Sequence, residues 1–160
     1  REKVVFSLRR AIEDTLSIVD TSLRSHGIAV QLDVERDAMA LGFPNEYSQV
    51  LLNLIGNAKD ILLERRVAPG WIRLSLAVEK GLVKVTVADN GGGVPADIME
   101  KIFDPYFTTR ARGTGIGLYM SKMIIENNMN GDIRVSNTED GAEFEIIVPM
   151  ADNTKPEAGI

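Results

Sequence analysis

Between Pro44 and Glu64 the chain carries a segment that is apolar around most of a helix's circumference, with Val50, Leu51, Leu54, Ile55, Ala58, Ile61 and Leu62 at helical spacing. Such a helix is buried. Pro44 is tolerated at its first turn, where the missing N–H has no partner to lose. One stripe interrupts the apolar surface. Gln49, Asn53, Asn57 and Asp60 are spaced four, four and three residues apart and share one face. Carboxamides on a buried helix need partners. Either this is the wet face of an ordinary amphipathic helix, or the stripe lines a polar cavity.

The flanking patterns say what covers the helix. Leu8, Ile12, Leu16, Val19 and Leu23 predict a first helix, with Ser7 as its N-cap and His26-Gly27 as its end. Ile28, Val30, Leu32 and Val34 alternate as a half-buried strand. Residues 72–78 and 83–87 read as two strands turned by Lys80-Gly81. A glycine-rich irregular stretch runs from 90 to 114, with a short helix expected near 96–102, and a third long helix is expected over 115–129. Ile133, Val135, Phe144, Ile146 and Val148 form a closing hairpin around residues 137–141. Tight turns make antiparallel pairs, which excludes a doubly wound parallel sheet. The expected fold is an α/β sandwich of the α+β kind: one mixed, mainly antiparallel sheet covered on one face by three helices.

A chain of 160 residues suits one domain, here 1–150, and residues 151–160 form a polar tail expected to be disordered. No cysteine is present and His26 is the sole histidine, which excludes disulfide scaffolds, thiolate metal sites and histidine clusters. The formal charge of −5 does not advertise nucleic-acid binding. No apolar run reaches bilayer length, so direct membrane contact by this domain is not expected. The abrupt opening at Arg1 is read as a cut from a larger protein.

Four segments carry chemistry. Asn57, on the amide stripe, can offer a carbonyl oxygen to Mg²⁺, a hard cation that prefers oxygen ligands. Next comes Asp89-Asn90-Gly91-Gly92-Gly93-Val94-Pro95 at a strand end. Asn-Gly there is a hairpin signal, but no strand returns after Pro95. Consecutive glycines suit a backbone that approaches a ligand closely. Asp89 is then placed to accept from an exocyclic amine such as the adenine N6. The third segment runs from Phe103 to Arg110 and gathers Phe103, Tyr106 and Phe107 in a loop. It is either a satellite apolar cluster or a lid, clipped by its aromatics, with Thr108 beside Thr109 and Arg110 facing phosphates. The fourth is Gly113-Thr114-Gly115-Ile116-Gly117-Leu118. Glycines leading into a helix N-terminus make an anion site. Each segment alone has an ordinary explanation. Their conjunction in this order is the parts list of an ATP site.

In these four segments the chain resembles the GHKL (Bergerat-fold) ATPase superfamily, and specifically the catalytic and ATP-binding domain of sensor histidine kinases. Residues 53–58 look like the N box, 89–94 the G1 box, 103–110 the F box and 113–118 the G2 box, while Gly141-Ala142-Glu143-Phe144 falls where the closing strand motif does. The resemblance covers about residues 6–149. It implies that Asn57 binds Mg²⁺, that Asn53 reaches the phosphates, that Asp89 recognises adenine, and that a mobile lid spans 91–114. The nucleotide-contacting set it implies is Asn53, Asn57, Asp60, Ile61, Asp89, Gly91, Gly93, Val94, Phe107 through Arg110, Gly113 through Gly117, and Leu118. Asn53 and Arg110 stand as the catalytic pair. Some positions depart from the family pattern: Ala142 replaces a frequent threonine, and Asp60 and Ile61 stand where basic and aromatic residues are common. Lys59 is expected to be solvated rather than on a phosphate. Asn130 interrupts a glycine pair and is expected to accept a left-handed conformation.

The self-hydrolysing relatives, such as gyrase-type and MutL-type ATPases, place a glutamate base where Asn53 stands. A carboxamide cannot take a proton from water at neutral pH. Transfer of the γ-phosphoryl to a histidine is therefore expected. His26 is read as structural, so the acceptor belongs to a dimerisation domain of the same parent, upstream of Arg1. The implied further partner is a response-regulator receiver domain, in two-component signalling. The implied setting is the cytoplasm, with a homodimeric parent that is free to be membrane-anchored. Two alternatives stay open: a protein-serine kinase of the anti-sigma type, and a non-enzymatic nucleotide switch.

Overall fold

In a computed structural model, residues 1–107 and 117–152 are described. The elements in chain order are β1 (Val4–Ser7), α1 (Leu8–Ser25), β2 (Ile28–Val34), β3 (Met39–Gly42), α2 (Pro44–Glu64), β4 (Gly70–Glu79), β5 (Leu82–Asp89), α3 (Gly117–Met123), a π-helical turn (Ile124–Asn128), β6 (Asp132–Asn137) and β7 (Ala142–Pro149).

Five strands form one sheet in the order β2-β4-β5-β7-β6. β2 runs parallel to β4, and the remaining neighbours are antiparallel. Alternation decides which face is covered. Ile72, Leu74 and Leu76 of β4, Val83, Val85 and Val87 of β5, and Phe144, Ile146 and Val148 of β7 are buried. They meet Ala11, Ile12 and Leu23 of α1 and the apolar side of α2. On α2, Val50, Leu51, Leu54, Ile55, Ala58 and Leu62 are buried, Val50, Leu51 and Leu54 completely. The mixed, mainly antiparallel sheet with helices on one face is thus the observed architecture.

α1 begins where Ser7 caps it, its hydroxyl accepting from the Arg10 N–H at 3.0 Å. Asp37 takes the neighbouring Arg9 N–H at 3.0 Å, so the helix start is held from a distant loop. His26 forms the C-cap and its Nδ1 lies 2.8 Å from the Ser22 carbonyl, a structural placement.

Several local expectations are corrected. Residues 96–102 form consecutive turns rather than a helix. Ile98, Lys101, Asp104 and Phe107 each donate to the carbonyl three residues back. Such bonds advance the chain turn by turn without building the four-back ladder of an α-helix. The third helix, where described, is seven residues of α-helix that widen into a π-turn. Ile125 and Met129 both enter the core, and Asn128 reaches Glu46 Oε1 at 2.7 Å. β2 is an edge strand, with only Ile28 fully buried. A second sheet, β1 antiparallel to β3, escaped the sequence reading, because four-residue strands are too short to show a period. Ala151, the first residue of the expected tail, is tied to Met39 by a 2.8 Å backbone bond, and residues 153–160 lie outside those described.

Candidate functional site

Asp89 ends β5 beneath the carboxyl-side rim of the sheet and is 3% exposed. A buried carboxylate loses hydration, and this pushes its pKa above the ordinary carboxylate range. Backbone N–H groups of Gly91 and Ala142 and the positive charge of Arg65 act in the opposite sense. The Gly91 N–H donates to Asp89 Oδ1 at 2.8 Å. Two glycines make this packing possible. A Cβ at Gly91 would lie 2.7 Å from Ile61 Cγ2, and one at Gly141 would lie 2.8 Å from both Asp89 Oδ1 and the Gly91 nitrogen. Gly92 and Gly93 adopt φ of 92° and 87°, where a side chain is strained.

The amide stripe of α2 leads away from this corner. Ile61 packs on Gly91, Asn57 stands one turn earlier and half-buried, and Asn53 one turn before that. Asp60, beside them, is exposed. Asn53 is held at both ends of its amide: Gln49 Nε2 donates to its Oδ1 at 2.9 Å, and its Nδ2 donates to the Gly117 carbonyl at 3.2 Å and to Ser121 Oγ at 3.1 Å. Gly117 and Leu118 open α3, with Leu118 packed on the core. One helix therefore spans from the Asp89 corner to the start of α3. Ile61 and Asn53 are eight residues apart, a rise of about 12 Å.

Val94 and Phe107 are half-buried against the core, and Phe103 meets the Phe144 ring edge-on at 6.1 Å. The aromatics of this loop do clip it to the body, although Tyr106 is 76% exposed. Thr108, Thr109, Arg110, Gly113, Thr114, Gly115 and Ile116 lie outside the described residues.

Sequence reasoning missed three tethers. Arg65 Nη1 donates to the carbonyls of Gly91 at 2.6 Å and Gly93 at 2.9 Å. Asn137 accepts from the Val94 N–H and donates to the Val94 carbonyl, each at 2.8 Å. Asn90 accepts from the Trp71 N–H at 2.8 Å and donates to the Pro69 carbonyl at 2.9 Å. No spacing rule signals them, because each joins residues at least 19 apart. Lys59 points elsewhere than the stripe, and its Nζ donates to Ser22 Oγ on α1 at 2.7 Å rather than standing free in solvent. Asn130 adopts φ of 52°, the left-handed form expected.

Among the described residues no group of three or more His, Cys, Asp and Glu could hold a metal by itself. No described helix is long and apolar enough to cross a membrane.

Comparison with known proteins places this geometry. Residues 42–152 match the family described as "Histidine kinase-, DNA gyrase B-, and HSP90-like ATPase". The chain is 36% identical to the two-component sensor PprA of Pseudomonas aeruginosa over 156 residues, covering 94% of this chain and 17% of PprA. It spans about a quarter or less of the curated relatives it matches most strongly, 17% to 24% in three of them. The catalytic domain of histidine kinase ThkA superposes with a TM-score of 0.83 at 30% identity, covering 93% of this chain and 96% of that one. ThkA in complex with the response regulator TrrA matches with a TM-score of 0.79 at 26% identity, covering 93% of this chain and 42% of that one.

Proposed function

The chain belongs to the family of histidine kinase-, DNA gyrase B- and HSP90-like ATPases, and from that premise we propose that residues 1–150 are the catalytic and ATP-binding domain of a sensor histidine kinase. In this reading the domain binds ATP with Mg²⁺ and donates the γ-phosphoryl to a histidine on the dimerisation domain of its parent. The carrying observation is the run of α2 between two chemically different ends. At one end a buried carboxylate sits beside close-packed glycines, and at the other Asn53 is bonded to the first residue of α3.

Asp89 accepts from the adenine amine, and Ile61, Gly91, Gly93 and Val94 wall the purine. Asn53 orients the phosphates with the opening of α3, at Gly117 and Leu118, since the start of a helix favours anions. Asp60 borders the stripe at its exposed edge. Asn57 holds Mg²⁺, which when bound neutralises charge on the phosphates. Arg110 with Thr108, Thr109, Phe107 and the glycine loop 113–116 completes the cover over the triphosphate. With an amide at position 53, the place where the self-hydrolysing relatives carry a glutamate base holds no proton acceptor for water, which favours transfer over hydrolysis. PprA is named a two-component sensor and ThkA was solved with a response regulator. A receiver domain is accordingly the proposed downstream partner, and a homodimeric parent with this domain in the cytoplasm is the proposed setting.

The deciding experiment mixes the 160-residue chain, Mg-ATP and a helical phosphoacceptor domain carrying the parent's histidine. An acid-labile phosphoprotein is expected. An acid-stable product indicates the anti-sigma type of serine kinase, and tight ATP binding with no transfer to any acceptor indicates a nucleotide switch.

A further inference from the structure

The glycine segment beside Asp89 has no regular structure of its own, yet its carbonyls are not left to water. The Nη1 of Arg65 bonds two of them at once, those of Gly91 and Gly93, and a Cβ at Gly92 would lie only 3.3 Å from the same nitrogen. Arg65 is the C-cap residue of α2, so its backbone is fixed by bonds from its N–H to the carbonyls of Ile61 and Leu63. The guanidinium is therefore carried by the same helix that presents Ile61 to the other side of Gly91. Arginine suits this task because Nη1 carries two N–H groups fixed in the guanidinium plane, one for each carbonyl, whereas an ammonium on a flexible stem is not held in orientation.

We propose that Arg65 is a positioning residue for purine selection: by gripping the Gly91 and Gly93 carbonyls it keeps the Gly91 N–H on Asp89 and the rest of the carboxylate turned to the purine. The inference deepens the reading given above and rests on its assignment of Asp89. Three features carry it. First, both peptide units that flank the Gly91 Cα are bonded: the N–H of one goes to Asp89 and the carbonyl of the other accepts from Arg65. The two bonds together fix the orientation of both planes, and so the φ and ψ of a residue that has no side chain to restrict them. Second, Gly92 and Gly93 occupy conformations open to glycine, so nothing in their own stereochemistry holds them there. Third, Arg65 is the charged side chain that acts on Asp89 from outside its own strand, and it favours the ionised, accepting form. Beyond Gly93 the segment is held separately, by Asn137 on Val94. Arg65 and Asn137 together make residues 91–94 a fixed floor of the pocket.

The test titrates the 160-residue chain with Mg-ATP and Mg-GTP in four forms: unaltered, Arg65→Met, Arg65→Lys and Asp89→Ala. Arg65→Met is expected to weaken ATP by about tenfold and leave GTP nearly unchanged, as expected for loss of a charge-assisted hydrogen-bond pair behind one acceptor. Arg65→Lys keeps the charge without the fork, so it recovers only part of the ATP-over-GTP ratio. If Asp89→Ala loses that ratio while Arg65→Met keeps it in full, the role of Arg65 is overturned and the purine assignment survives. If Asp89→Ala keeps the ratio, the purine assignment falls and takes this inference with it. Should Arg65→Met not fold, the lysine variant decides: a ratio equal to that of the unaltered chain removes the two-carbonyl grip.

Discussion

The two ends of α2 solve opposite problems. At the Asp89 end the backbone itself is the wall. Glycines are pressed to distances that exclude a methyl group, and the one acidic side chain is nearly sealed from solvent. At the Asn53 end the wall is made of the exposed Gln49 amide, the half-buried Asn53 amide and the buried Ser121 hydroxyl, joined by bonds of 2.9 to 3.2 Å. The first design is stiff and tolerates no added atom. The second can exchange partners, because each amide has both donor and acceptor and each bond is replaceable by water. A pocket that must reject the wrong base needs the first. A pocket that must bind, release and lose a phosphoryl group is served by the second.

The sharpest way to break this comparison is at Gly141. Gly141→Ala places a methyl on the Asp89 carbonyl and carboxylate, and overpacking of this kind destabilises by about 3 kcal/mol. Thermal unfolding should record the loss, with nucleotide binding falling further than stability alone explains; an unchanged melting point would mean that the corner is not close-packed. Next in size is Asp89→Ala. Removing a charged acceptor should lower ATP affinity by about 2 kcal/mol with little effect on GTP, read by competition titration.

The pH dependence sharpens the same point. Burial raises the Asp89 pKa, so the folded, nucleotide-free domain holds this proton more tightly than the unfolded chain does. The contribution of this group to stability is present at acid pH and is lost as pH rises through the elevated pKa. Accepting from an amine requires the ionised form. ATP affinity should therefore start to decline on acidification above the ordinary carboxylate range, and Asp89→Asn should remove that step from the titration profile.

At the other end the expected effects are smaller and more separable. Asn57→Ala should reduce the gain in ATP affinity on adding Mg²⁺ by about tenfold and leave the ATP-over-GTP ratio intact. A lost ratio would mean the two ends are not independent. Asn53→Ala releases the Gly117 carbonyl and Ser121 hydroxyl and should lower stability by about 1 kcal/mol, measured by denaturant unfolding. Phosphoryl transfer should fall more than ATP binding does.

Much of this molecule was legible in local pattern. α2 begins at its proline and stops at Glu64, as its apolar period requires, and α1 starts behind the serine that caps it. The hairpins followed from alternation interrupted by a turn, and the amide stripe followed from spacing on a helix already known to be buried. These features are set by residues within about one turn of one another, so a linear reading reaches them. The string of turns over 96–102 escaped it, because three-back and four-back bonding draw on the same short-range composition. The widening of α3 into a π-turn escaped as well, since no short-range pattern marks it, and the Asn128 bond to Glu46 joins residues 82 apart.

The family boxes named the candidate site but not its support. By itself the sequence determined the two long helices, the hairpins and the sheet's mainly antiparallel character, and it picked out candidate side chains for a nucleotide and its cation. Only the tertiary structure decided that Gly141 is driven against Asp89, that Arg65 reaches across to two glycine carbonyls, and that Asn137 pins Val94. The physical reason is range. A period or a cap is an interaction between neighbours, whereas each of these contacts exists only because a buried core brings distant turns to one place, where a glycine or a long side chain is then the sole fit.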